Sequence, residues 1–181
     1  MRERISGFII FTVAVFALLA SLKVLNWVPG ILQDGLPSAY SSIEEVKSKL
    51  HVRDVYVPSY YPQGLRWPPS RITAQSKPYV MVLLAFTRQA DNNVSLVISQ
   101  TTLHQPVPKA AIEIIHTNER VHYPLKGRDA LLEVGLCGND ERCSRISWNE
   151  SPYRIDVIML SPPAELVKIA ESMVSEPPPS R

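Results

Sequence analysis

The sequence predicts an α+β fold: an N-terminal transmembrane helix, then a mainly antiparallel, curved sheet packed with two short helices. Three observations lead there. An uncharged apolar run opens the chain. Sixteen prolines against seven glycines divide the rest into many short segments, which suits strands better than a helical bundle. The links between the apolar segments are too short for parallel crossovers, and helical spacing recurs only near each end of the remaining chain.

The opening run, "ISGFIIFTVAVFALLASL", extends from Ile5 to Leu22. At roughly 1.5 Å per residue it makes about 27 Å of helix. Lys23 snorkels, "VLNW" prolongs the helix to the interfacial Trp27, and the whole reaches across a hydrocarbon core of about 30 Å. Signal-peptide cleavage fits poorly, because cutting after Ala20 or Ser21 places Leu18 or Leu19 where a small residue is needed. No cysteine lies near enough for a lipidated terminus. Arg2 and Arg4 precede the run and only Lys23 follows it at once, so the expectation is an uncleaved single-pass anchor over residues 1–27 with a short cytoplasmic stub. The bulk of the chain then lies periplasmic or extracellular, at a cell (inner) membrane. Gly7, Ala14, Ala17, Ala20 and Ser21 supply a candidate packing face for another transmembrane helix.

Residues 28–40 read as a linker, 41–174 as the extracytoplasmic α+β domain and 175–181 as a disordered tail. "SSIEEVKSKL" opens the domain as a helix. Ser41 with Glu44 fits a capping box, Ile43, Val46 and Leu50 share a face, and Glu45 pairs with Lys49. "VYV" is a brief strand ended by Pro58. Pro58, Pro62, Pro68 and Pro69 then forbid regular pairing through a stretch that interleaves Tyr60, Tyr61 and Trp67.

"PYVMVLLAF" is apolar almost throughout, as a central strand covered on both faces should be. "VSLVI" alternates, with Val94, Leu96 and Ile98 expected on one face. "AIEIIH" and "ERVHYPL" flank "TN" as an expected hairpin. "ALLEVGLC" and "CSRISW" are the next pair, and "YRIDVIML" places Tyr153, Ile155, Val157 and Met159 on one side. "SPPAELVKIAESMV" closes the domain as a helix capped by Ser161, its stripe being Leu166, Ile169, Ala170 and Met173.

Cys137 and Cys143 are the only cysteines. Their spacing is neither the C-x2-C of a zinc knuckle nor a redox C-x-x-C. Turn formers and charges separate two strand-like segments, so the pair is expected to close the base of a hairpin loop as a disulfide. That suits an oxidising compartment.

For chemistry the sequence offers little. If the "TN" turn holds two residues, Glu113 sits opposite His122 and His116 opposite Glu119, but on different faces of the hairpin. No metal site and no cofactor is therefore expected. Glu133, Asp156 and Glu165 read as scattered acids without pairing. No nucleophile elbow, S-x-x-K, phosphate loop or H-E-x-x-H is present, and the chain is not expected to be an enzyme. A net charge of +2 without a Lys/Arg run gives nucleic-acid binding no support. "NVS" at Asn93 matches a glycosylation acceptor, a short and common pattern. Tyr60, Tyr61, Arg66 and Trp67 are of the residue types that anchor interfaces and form the candidate partner contact; the plainer reading makes these rings a lid on the open end of the sheet.

The helix followed by "VYVPSYYPQGL", then "ISWNESPYRIDVI" and "PAELVKIAESM", resembles a bacterial extracytoplasmic domain of unknown function. Domains of that type occur behind membrane anchors in anti-sigma-factor-like and lipoprotein-sorting-like proteins. Pro58, Tyr60, Pro62 and Gly64, then Trp148, Tyr153 and Ile155, then Glu165 to Ser172 carry the likeness, which covers roughly residues 41–174. It implies no catalytic residue, and the short cytoplasmic stub expected before the anchor is too small for the folded cytoplasmic domain an anti-sigma factor needs. The expected function is a membrane-anchored module that binds a protein, peptide or envelope component. The alternatives are a structural accessory subunit of a larger membrane complex and, less favoured, an envelope enzyme or a carrier of an apolar molecule. The expected partners are the bilayer and another envelope or membrane protein.

Overall fold

The computed structural model describes residue 15, residues 17–23 and residues 37–176. The chain divides into two units, residues 1–36 and 37–181. In the first, Val15 and residues 17–23 are helical and exposed, and the Ser21 hydroxyl donates to the Ala17 carbonyl at 2.8 Å. Among the described residues no helix is long and apolar enough to cross a membrane. Most of the expected anchor, including Gly7 and Ala14 of its packing face, lies outside the described residues, as do residues 28–36 of the expected linker.

The second unit is α+β with a mainly antiparallel sheet. Its elements are β1 (Ser38–Tyr40), α1 (Ile43–Leu50), β2 (Val55–Pro58), β3 (Arg71–Gln75), β4 (Met81–Thr87), β5 (Val94–Thr102), β6 (His116–Leu125), β7 (Arg128–Leu136), one 3-10 turn (Gly138–Asp140), β8 (Arg142–Glu150), β9 (Tyr153–Met159), α2 (Pro163–Glu171) and β10 (Met173–Glu176). Eight strands form one sheet in the order β1-β3-β4-β5-β9-β8-β7-β6, and β2 pairs with β10 in a second, two-stranded sheet. Every pairing is antiparallel.

One face of the large sheet carries the main core. Leu84 and Phe86 of β4, Leu96 and Ile98 of β5, Ile146 and Trp148 of β8, and the whole Tyr153, Ile155, Val157, Met159 row of β9 pack there against Ile43 and Val46 of α1, Val55 and Val57 of β2, and Leu166 and Ile169 of α2. Each fully buried aliphatic side chain of this set contributes about 2 kcal/mol by leaving water. Gln100, buried on the same face, is satisfied at both ends: it accepts from the Tyr56 amide at 3.1 Å and donates to the Asp54 carbonyl at 2.7 Å, which fixes β2 across the sheet.

Local details depart from the sequence expectations for identifiable reasons. The cap of α1 is Ser42, whose side chain accepts from the Glu45 amide, while the Glu45 carboxylate reaches back to the Ser41 amide at 2.8 Å. The capping box thus sits one residue later than Ser41 and Glu44. The last residues of the expected linker form β1. In β5 a bulge falls between the Phe86–Leu96 and Thr87–Val94 pairs, so Val94 leaves the Leu96/Ile98 face and packs on the other side. The C-terminal helix is shorter than its spacing suggests. Pro162, not Ser161, occupies the cap, the helix ends at Glu171, and Met173 is buried from a strand. Ser175 and Glu176 pair with Tyr56 and Val55, so the expected tail starts no earlier than residue 177, outside the described residues.

The largest departure lies between β5 and β6. No hairpin turns at Thr117–Asn118: residues 116–125 form one edge strand with a bulge near its start. Three strands separate β5 from β6 in the sheet, and successive antiparallel pairings make those two run in the same direction. Residues 103–115 therefore form a strap that crosses the outer face, a span of about 19 Å at roughly 4.8 Å per strand. Ala110, Ile112 and Ile114 of the strap pack on a second, smaller apolar cluster of Ala85, Val97, Ile158 and both cysteines. Close approach at its end requires Gly135, since a Cβ there would lie 2.1 Å from the His116 carbonyl oxygen. The β6–β7 turn is tight, with Lys126 and Gly127 both at positive φ (48° and 83°), as a two-residue hairpin loop demands.

Candidate functional site

The Pro-rich segment does not gather its aromatic residues in one place. Tyr60 is tied to α2: its hydroxyl donates to Glu165 Oε2 at 3.0 Å and its amide donates to Ser172 Oγ at 3.1 Å. The bond to Glu165 raises the Tyr60 phenol above its usual range. The Lys168 ammonium and then Tyr60 lower the Glu165 carboxyl. Tyr61 and Trp67 instead lie against each other, ring centroids 4.6 Å apart and planes tilted by 45°, and each lies 6.0 Å from the fully buried Phe86, on which Trp67 is stacked. Tyr61 is half-buried, whereas Trp67 is 52 % exposed. The stack therefore runs from core to surface: Tyr61 and Phe86 serve as lid, and Trp67 is the ring left for contact. Arg66 is exposed, and its backbone amide donates to the Thr87 carbonyl at 2.9 Å.

Beside this segment Gln63, Gly64 and Leu65 face Arg88, Ser95 and Met159 across a hollow of about 490 Å3. Two buried polar atoms there, Ser95 Oγ and Arg88 Nε, have no hydrogen-bond partner among the described residues.

The larger recess, about 570 Å3, lies on the outer face between the strap and the sheet. Val97, Ile158 and the strap's Ala110, Ile112 and Ile114 give it apolar walls. Its floor is a row of charge crossing four strands. Arg120 of β6 stands opposite Glu133 of β7, and Glu133 opposite Arg145 of β8. Arg120 Nε donates to Glu133 Oε1 at 2.8 Å. Arg145 Nη1 lies 3.8 Å from Glu133 Oε2, and Arg145 Nε donates to Asp156 Oδ1 of β9 at 3.0 Å, with a second, shorter bond from Nη2. Arg154, outside the lining of the recess, closes the row, its Nε 3.0 Å from Asp156 Oδ2. Glu133 and Asp156 are buried, at 7 % and 4 % exposure, and the guanidiniums lie between them and solvent.

Glu133 and Asp156 are thus not scattered acids but two rungs of one ladder, and Glu165 belongs elsewhere, with Lys168 and Tyr60. The signal was present in the sequence. Each of "NERVH", "LEVG", "SRIS" and "RIDV" sets a charged residue at an outward position of an alternating strand. Only the strand order and register reveal that the four align.

The histidines form no constellation. His122 lies opposite Leu131 and its Nδ1 is 2.9 Å from Asp129 Oδ1, while His116 lies opposite Leu136. Neither Glu113–His122 nor His116–Glu119 is a facing pair. Among the described residues no group of three or more His, Cys, Asp or Glu side chains is placed to hold a metal ion. Cys137 and Cys143 form a disulfide with Cα atoms 5.9 Å apart, buried beside Ile112 under the strap. Comparison of the chain with protein-family models, curated proteins and solved structures returns no match.

Proposed function

We propose that the chain is a single-pass, membrane-anchored, non-catalytic module. Its folded part lies on the extracytoplasmic side and binds a protein, peptide or envelope component. The observation that supports binding is the outer recess. A sheet whose other face holds the main core carries here a hollow of about 570 Å3, walled by a crossing strap and floored by charged side chains in fixed register. Trp67, stacked but half-exposed, adds a second anchor of the type that dominates interfaces. The buried disulfide and the apolar N-terminal run support the location, the first through the redox chemistry of the compartment and the second through its length and flanking charges. The likeness to domains behind membrane anchors points the same way.

The test has two parts. Protein taken from native membranes without reductant, and blocked at once with a maleimide, is expected to show both cysteines unmodified and a mature chain that retains residues 5–22. Modified thiols, or a mature chain that starts beyond Trp27, would defeat the anchored reading. Full-length protein crosslinked in its membrane should capture a defined partner, and Trp67→Ala or Arg120→Gln should weaken that capture. If only replacing the N-terminal helix abolishes association, the chain is an accessory subunit held through that helix.

A further inference from the structure

We propose that the recess under the strap is an oxyanion site. It takes a carboxylate or phosphate group borne on a body with some apolar surface. The inference rests on the binding-module reading and names the chemistry of its ligand.

The first ground is that two guanidiniums line the recess. Arg120 and Arg145 each have a buried acid partner there, Glu133 and Asp156, and Arg154 binds Asp156 from outside the lining, so the ladder's charges balance within the recess. On the strap Lys109 and Glu113, which also line the recess, offset each other. The second ground is the distribution of exposure. The two acids are buried and engaged by guanidinium groups, so they orient the arginines rather than meet a ligand. The side chains of Arg120 and Arg145, the two arginines of the lining, are 62 % and 27 % exposed. A guanidinium has five N–H donors in a rigid fork, and the contacts to Glu133 and Asp156 use only part of each set. Donors on two arginines that line a hollow, held in place by buried carboxylates, suit a planar or tetrahedral oxyanion. The third ground is the walls. Val97, Ile112, Ile114 and Ile158 set apolar surface beside the charged floor, which favours a ligand with apolar surface next to its anionic group.

The experiment uses the full-length protein in detergent, with the side-chain Nε–Hε signals of arginine followed by NMR. The probes are inorganic phosphate and, separately, a tri-glutamate peptide. The expected result is a saturable shift confined to the ladder and largest at Arg120 and Arg145 with at least one probe, at concentrations up to on the order of 10 mM. A phosphate response alone assigns the ligand group to the phosphate type, and a peptide response alone to the carboxylate type. Arg120→Gln, at the solvent end of the ladder, should weaken binding about tenfold, the equivalent of one charge-assisted hydrogen bond. Glu133→Gln should tighten it by several-fold, because it releases donors on Arg120 and Arg145 and raises the net charge. Arg145 is left intact, since its removal strands two buried acids and threatens the fold. The proposal is overturned if neither probe gives a saturable shift, if the shifts fall outside the ladder, or if Glu133→Gln weakens binding while the amide spectrum remains folded. A captured partner that phosphate and peptide fail to displace, and that Arg120→Gln binds normally, removes the oxyanion site and leaves the module reading standing. Free thiols in the native protein together with saturable ladder shifts do the reverse.

Discussion

Gly135→Ala should be among the most damaging single-methyl additions in this domain. The added Cβ would sit 2.1 Å from the His116 carbonyl oxygen and 3.0 Å from Ile114 Cγ2. An ordinary carbon–oxygen contact is about 3.3 Å, so backbone must retreat by about 1 Å. The obstacle is not a flexible side chain. His116 opens β6, and Ile115 just before it donates its amide to the Leu136 carbonyl at 2.9 Å, so any retreat disturbs the join between strap and sheet. Overpacking costs about 1–3 kcal/mol, and a backbone clash belongs at the upper end, about 3 kcal/mol. With a urea slope of about 2 kcal/mol per molar, the unfolding midpoint should fall by about 1.5 M. Gly138→Ala is the control, because a Cβ there meets nothing within 4 Å, and its stability should stay within about 0.5 kcal/mol of the parent. If Gly135→Ala unfolds with Gly138→Ala, the close approach of the strap is not what holds glycine at that position.

Replacing Cys137 and Cys143 together by alanine opens a loop with a sequence separation of 6, and chain entropy puts the loss at about 2 kcal/mol. Adding reductant to the parent protein should lower its unfolding midpoint by a similar amount, and an unchanged midpoint would mean the cross-link does not constrain the unfolded chain. Thr101→Val should stabilise by about 1 kcal/mol, because Thr101 is fully buried and its hydroxyl has no partner among the described residues; a lower melting temperature would contradict this. Glu45 has its carboxyl lowered from 4.5 to about 2, first by the Lys49 ammonium and then by Ser41. A folded value below the unfolded one contributes stability that is complete above about pH 4.5 and is lost as pH falls toward 2. In a comparison of unfolding midpoints between pH 6 and 2.5, Glu45→Gln should therefore show a shallower acid dependence than the parent, and parallel curves would refute it.

The legible parts of the fold were those where local pattern and tertiary environment agree. The β9 row, the uniformly apolar β4 and the hairpin closed by Cys137 and Cys143 are set by neighbours in sequence, and they appear as expected. The strap misled because "AIEII" alternates whether it pairs in a sheet or lies across one: in both cases every second residue, here Ile112 and Ile114, turns toward apolar surface. Met173 misled for a similar reason, since its helical spacing from Leu166 and Ile169 continues beyond the helix into a strand that pairs with residues more than a hundred positions earlier. Of the candidate contact residues, Trp67 lies exposed on the aromatic stack, Tyr61 turns inward, and Tyr60 is bound to α2. The ladder was hidden because short turns show that β6, β7, β8 and β9 follow one another but not the register that sets Arg120 opposite Glu133 and Glu133 opposite Arg145.

Stability alone does not account for the ladder. Buried ion pairs repay their desolvation poorly, and well-packed apolar residues in their place are often neutral or better. The same face already carries an apolar cluster of Val97, Ile158, Ile112 and the disulfide, so an apolar extension toward β7 and β6 was physically available. Register offers one reason for charge instead. A slip of one residue would move Glu133 and Arg145 to the core face, where Leu132 and Ile146 now pack, so the ladder penalises misaligned pairing of the strands on either side of the disulfide hairpin. Register, however, needs equal numbers of opposite charges, and Glu133 with Arg145 would suffice. It does not call for a further guanidinium on Arg120, or for a strap that arches over the row and leaves a hollow above it. Arg120 and Arg145 keep N–H donors beyond those their acids take, and both line that hollow; a ligand that bears an oxyanion accounts for the donors and the open space together.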